Sequence, residues 1–120
     1  MGRFLYMKGA ARLAFAGTLL AVLLLTLLPI PPAFERLGND KLEHMLAFFA
    51  LAVLGGLGWP QARPWLATAL LLVGGAIEVL QGTPLVHRDM SLFDWFADAA
   101  GILLGMSFVG LMLRLSPKAA

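Results

Sequence analysis

Four long stretches of this 120-residue chain carry almost no charge, and the ionisable residues that separate them gather toward one end of the spans they define. The first stretch runs from Leu13 up to Glu35 and the second covers 45–62. The third covers 64–77 with an apolar continuation past Glu78, and the fourth covers 99–113. A helix rises ~1.5 Å per residue, so ~20 apolar residues cross a hydrocarbon core of ~30 Å. The pattern therefore predicts four transmembrane helices, at about 12–30, 42–60, 64–83 and 92–114, forming one all-α bundle in which 1–120 is a single domain. The alternating segments of about ten residues that build a membrane barrel are absent from the sequence.

Composition places the chain in the same class. Hydrophobic residues make up 60% and charged residues 13%, with a mean hydropathy of +0.85, far from the balance of a water-soluble domain. The basic start (Arg3, Lys8, Arg12) before an apolar run resembles a signal peptide. The run is longer than a signal core, however, and ends in Pro29-Ile30-Pro31-Pro32 without a small-x-small cleavage site, so a retained span is expected. Arg3, Lys8, Arg12, Arg63, Arg114 and Lys118 fall on one side of the predicted spans, with only Arg36, Lys41 and Arg88 opposite. Basic residues favour the cytoplasmic side, which predicts both termini inside and the polar cluster facing outward. This asymmetry accounts for the net charge of +2, so basicity gives no reason to expect a nucleic-acid partner. The chain has no cysteine, which excludes disulfides, thiol catalysis and thiolate metal ligands.

Residues three and four apart share a helix face, and on that spacing three of the spans present polar groups at one level. Asp40, Lys41 and His44 open the second span, Glu78 and Gln81 close the third, and Asp94 and Asp98 begin the fourth. Small residues continue these faces: Gly55 and Gly58, Gly74 and Gly82, and Gly101 and Gly105, which permit close helix contact. Gly101-x-x-x-Gly105 supplies either an intramolecular contact or a homodimer surface. Glu78 stands out because it follows fourteen uncharged positions beginning at Pro64. A carboxylate at such depth costs ~2.5–3.5 kcal/mol on insertion scales, so it takes a partner such as Arg88, Lys41 or His44, or it holds a proton.

In order along the chain, Asp40-Lys41-x-x-His44, Glu78-x-x-Gln81 and Arg88-x-x-Ser91-x-x-Asp94-x-x-x-Asp98-x-x-Gly101 resemble the motifs of the VanZ-like family of small multi-span membrane proteins. The resemblance covers about residues 40–105. One departure is Asp98, where that family commonly has Asn. The likeness implies a bacterial inner-membrane protein of the cell envelope, with a bearing on glycopeptide susceptibility.

The chemistry these residues offer takes two forms. Arg88 and Lys41, positioned with Asp40, Gln81, Ser91 and Asp94, suit an anionic lipid or lipid-linked cell-wall precursor. Alternatively Glu78, His44 and Asp98 provide acid and base groups for a membrane-embedded hydrolase or transferase. A structural ion-pair network is the plain reading of the same set. A metal site from His44, Glu78, Asp94 or Asp98 is possible in composition, but no H-E-x-x-H or other tight ligand spacing supports it, and no cofactor is expected. Ser91 lacks a G-x-S-x-G elbow and reads as a helix cap, completed by Asp94 three residues on. Trp59 and Trp65 on one side, and Phe34, Phe93, Trp95 and Phe96 on the other, read as interfacial belts.

Overall fold

Among the described residues, each uncharged run is largely helical, and proline marks the boundary between the second and third helices. The computed structural model describes residues 2–27, 40–83 and 92–115. Helix α1 is Gly2–Leu27, α2 is Asp40–Gly58, α3 is Arg63–Gln81 and α4 is Leu92–Leu115. A 3₁₀ turn, Pro60–Ala62, joins α2 to α3. Pro60 has no N–H and restricts Trp59 before it, which stops α2, while Pro64 fits the first turn of α3 because its missing N–H would have no intrahelical partner. At the other end of α3, Gly82 N–H donates to the Glu78 carbonyl at 3.2 Å and Thr83 N–H to the Leu80 carbonyl at 3.1 Å.

All four helices are long and apolar enough to cross a membrane, over Met7–Leu27, Lys41–Gly58, Pro60–Gln81 and Leu92–Leu115. The expected second, third and fourth helices agree with the bounds of α2, α3 and α4 to within about two residues, the usual uncertainty of a helix end. Helix α1 differs: it begins at Gly2, ten residues before the expected span, because nothing in its basic first turns breaks a helix. The Pro29–Pro32 segment lies outside the described residues.

Helix α2 is the centre of the bundle, touching α1, α3 and α4, whereas α1 and α4 do not meet among the described residues. The core consists of Val22 from α1, Phe48, Leu51 and Ala52 from α2, Leu70 and Ile77 from α3, and Ile102 from α4. Outside it, Leu13, Leu20, Leu72, Val79, Leu103 and Leu111 all face outward. Apolar side chains all round a helix suit contact with lipid rather than water.

The tightest packing lies between α2 and α4. A Cβ placed on Gly101 would overlap the Met45 carbonyl, and one on Gly105 would come within 2.8 Å of the Phe49 carbonyl. The Gly101-x-x-x-Gly105 stripe is thus used inside the chain, and a homodimer would have to use other surfaces. At the far end of α2, Arg12 Nε donates to the Gly58 carbonyl at 2.9 Å, and its guanidinium lies 5.1 Å from the centre of the Trp59 ring. Phe15 meets the same indole edge-on at 5.4 Å.

Two glycine substitutions separate these environments. Gly101→Ala must push against backbone and is expected to lower stability by about 1–3 kcal/mol, whereas Gly17→Ala meets nothing within 4 Å and gains about 0.5–1 kcal/mol from helix propensity. Thermal melting of the two purified variants in one detergent checks the sign of each change.

Candidate functional site

The polar residues of three helices meet at the end of the bundle opposite Arg12. Lys41 and His44 occupy the first turns of α2, Asp94 and Asp98 the first turns of α4, and Glu78 and Gln81 the last turn of α3. Because α2 and α4 pack closely through the glycines below, their polar residues form a ladder of two rungs. On the outer rung Lys41 Nζ lies 3.6 Å from Asp94 Oδ1, with the lysine side chain 52% exposed. One turn deeper, His44 Nδ1 lies 2.9 Å from Asp98 Oδ1, and both groups are buried.

Asp98 is sealed from every side. It has no accessible surface, and its Oδ2 sits so close to α3 that a Cβ on Gly74 would approach it to 2.7 Å. Gly74 therefore makes room for the carboxylate. In the neutral tautomer that donates Nδ1–H to Asp98, the imidazole keeps its Nε2 lone pair available. Nε2 faces Asp94 Oδ2 at 3.9 Å, beyond the length of a hydrogen bond. Glu78 completes this face: one ligand atom each from His44, Glu78 and Asp94 lie within 4.8 Å of one another, and all three residues are buried.

Gln81, also expected in the site, turns toward α1 and donates from Nε2 to the Thr26 carbonyl at 2.9 Å. Arg88 and Ser91 lie outside the described residues, as does the side chain of Asp40. The structure therefore brings together Lys41, His44, Glu78, Asp94 and Asp98, and ties Gln81 to the neighbouring helix.

Three contributors were not expected at the site from the sequence. Val22, Leu25, Thr26, Glu43, Ala47 and Phe48 line a cleft of about 370 Å³ between α1 and α2, and His44 forms part of its wall. Glu43 is thus a site neighbour that its place among the unremarked positions of the Asp40-Lys41-x-x-His44 motif concealed. The Trp95 indole, expected in an interfacial belt, donates to the Leu71 carbonyl at 2.9 Å and binds α4 to α3. Gly74 reads in sequence only as a small residue near Glu78.

Fold and site together define an all-helical chain with four membrane-competent helices and a buried carboxylate–imidazole cluster at one end. No family model, curated protein or solved structure matches it.

The two rungs differ in their stability effects. Removing one partner of a buried charged pair costs about 3–5 kcal/mol, while an exposed pair contributes about 0–1 kcal/mol. His44→Ala is accordingly expected to lower the melting temperature far more than Lys41→Ala. Replacing both inner partners, as in the double variant His44→Leu with Asp98→Leu, should recover much of that loss. Detergent melting curves of the four proteins, wild type included, test the ordering.

Proposed function

We propose that this chain is a VanZ-like integral membrane protein of the bacterial cell envelope, set in the cytoplasmic membrane with both termini inside. Its outward-facing polar site binds the head group of a membrane lipid or a lipid-linked cell-wall precursor. The observation that carries this reading is the cleft between α1 and α2: its walls are largely apolar and it passes directly beside His44 and Glu43. A hydrocarbon chain lying there would bring its polar head to the carboxylate–imidazole cluster. Arg12, Arg63 and Arg114 stand at the opposite end of the bundle, which supports the orientation through the preference of basic residues for the cytoplasm. Arg88 and Lys41 are the cations assigned to an anionic head group, with Asp94 holding Lys41. An effect on glycopeptide susceptibility belongs to the same reading.

Ala47 lines the cleft, so Ala47→Phe should fill it. Protein purified from bacterial membranes in mild detergent is expected to carry a co-purifying lipid that mass spectrometry detects in the wild type and finds depleted in Ala47→Phe. The same lipid complement on both proteins would remove the cleft from the proposal.

A second reading is favoured by the 2.9 Å contact between His44 Nδ1 and Asp98 Oδ1. An imidazole oriented by a buried carboxylate is the arrangement of a general base. In a membrane-embedded hydrolase or transferase, His44 Nε2 would take the proton, Asp98 would hold the ring, and Glu78 would serve as the acid. Glu78→Gln would then keep lipid binding while abolishing turnover. Lipid profiles of cells lacking the protein, cells with wild type and cells with Glu78→Gln decide this: a species changed by wild type alone supports the enzyme, and coincident profiles exclude it.

A further inference from the structure

We propose that His44, Glu78 and Asp94 form a binding site for one divalent transition-metal ion, with Asp98 orienting the imidazole from behind. The inference concerns the residues of the cluster alone and does not depend on which lipid, if any, enters the cleft.

The donor set and its spacing carry the proposal. Ligand atoms from the three residues converge within 4.8 Å, on three different helices, and all three residues are buried. Bonds from zinc to imidazole nitrogen and carboxylate oxygen are ~2.0–2.2 Å, so two ligands of one ion stand ~3.4 Å apart in a tetrahedron and at most ~4.3 Å apart. The His44 Nε2 to Asp94 Oδ2 separation of 3.9 Å already falls in that interval. Tetrahedral spacing asks this pair to close by ~0.5 Å and the widest pair by up to ~1.4 Å, movements of the carboxylate side chains. These two atoms are too far apart to share a proton in a hydrogen bond, yet spaced as two ligands of one ion would be.

The arrangement behind the imidazole is the second observation. A metal-bound histidine almost always donates its other ring N–H to a carboxylate or carbonyl, which fixes the tautomer and turns the lone pair toward the ion. Asp98 occupies that position at 2.9 Å from His44 Nδ1, and its complete burial against Gly74 leaves it little freedom to move. In the neutral imidazole with Nδ1–H on Asp98, the nitrogen that faces Asp94 is the one left to bind an ion. One imidazole with two carboxylates suits zinc or manganese among the common divalent ions, whereas magnesium favours all-oxygen sites. Three protein ligands leave a coordination position for water or for an anionic group of a bound molecule. A sequence search for metal motifs misses such a site because its ligands stand 34 and 16 residues apart, with no local spacing to recognise.

The test uses the full-length chain without a polyhistidine tag, purified in detergent, stripped with chelator and re-equilibrated separately with Zn²⁺, Mn²⁺ and Mg²⁺. Wild type is expected to retain about one equivalent of Zn²⁺ or Mn²⁺ per chain by elemental analysis and to melt at a higher temperature with the ion bound. Glu78→Gln and Asp94→Asn should lose the ion, Asp98→Asn should bind it about 10–100-fold more weakly, and Gly17→Ala should behave as wild type. Co²⁺ added to wild type provides a readout that needs no variant: ligand-field absorption in the visible range is expected. Retention below a tenth of an equivalent by wild type, retention unchanged in Glu78→Gln and Asp94→Asn, or a Co²⁺ spectrum identical to that in buffer would each overturn the site. Because these measurements read the ion and not the lipid, their failure leaves the cleft reading untouched, and failure of lipid binding leaves the metal site untouched.

Discussion

The approach of α4 to α2 at Gly101 and Gly105 is the constraint on which the polar end depends. A side chain at either position would strike the backbone of α2, so the glycines let the two helix axes come closer than leucine-lined faces would allow. Asp98 and Asp94 lie on the same stripe of α4, about one and two turns above Gly101. Close packing below therefore delivers both acids to the Lys41 and His44 face of α2. Gly74 does the same from the third side, admitting the Asp98 carboxylate against α3. Without these small residues the cluster would be three separate polar surfaces, each costly to hold near hydrocarbon.

The two ends of the bundle solve different problems. At the end of α2, a carbonyl with no further helix to bond to receives the Arg12 side chain, while its guanidinium lies over the Trp59 ring. That end is closed by packing. The other end holds its polar groups in graded exposure, from the half-exposed Lys41 to the enclosed Asp98, and it borders the apolar cleft. A surface grading from wet and charged to dry and apolar over two helical turns suits a ligand that is itself amphipathic.

Much of the architecture was legible in the sequence, because uncharged length is a direct consequence of the ~30 Å of hydrocarbon to be crossed. The number of helices and the bounds of α2, α3 and α4 follow from it. The start of α1 does not, since a basic first turn can be helical without belonging to a span. Helical spacing also placed Glu78, Asp94, Asp98 and His44 at one level. It left open which of them touch, because that depends on helix rotation and on sub-ångström approach. Nothing in the order of residues says that Asp98 and not Asp94 holds His44 Nδ1, or that Gln81 leaves the cluster for Thr26. The cleft was equally hidden, being formed by residues of α1 and α2 that look like ordinary core in either helix alone.

The Gln81 contact has a consequence for α1 beyond satisfying a terminal carbonyl. This helix is apolar over most of its length, and such a surface is nearly indifferent to sliding or rolling against its neighbours. Polar clasps are not indifferent: Arg12 binds the end of α2 and Thr26 receives Gln81 from α3. They stand fourteen residues apart, about 21 Å along the axis. A slip of one residue would displace both partners by ~1.5 Å and turn them through ~100°, breaking two hydrogen bonds together. Two bonds at opposite ends thus act as a vernier, setting the register of a helix whose greasy surface has no register of its own.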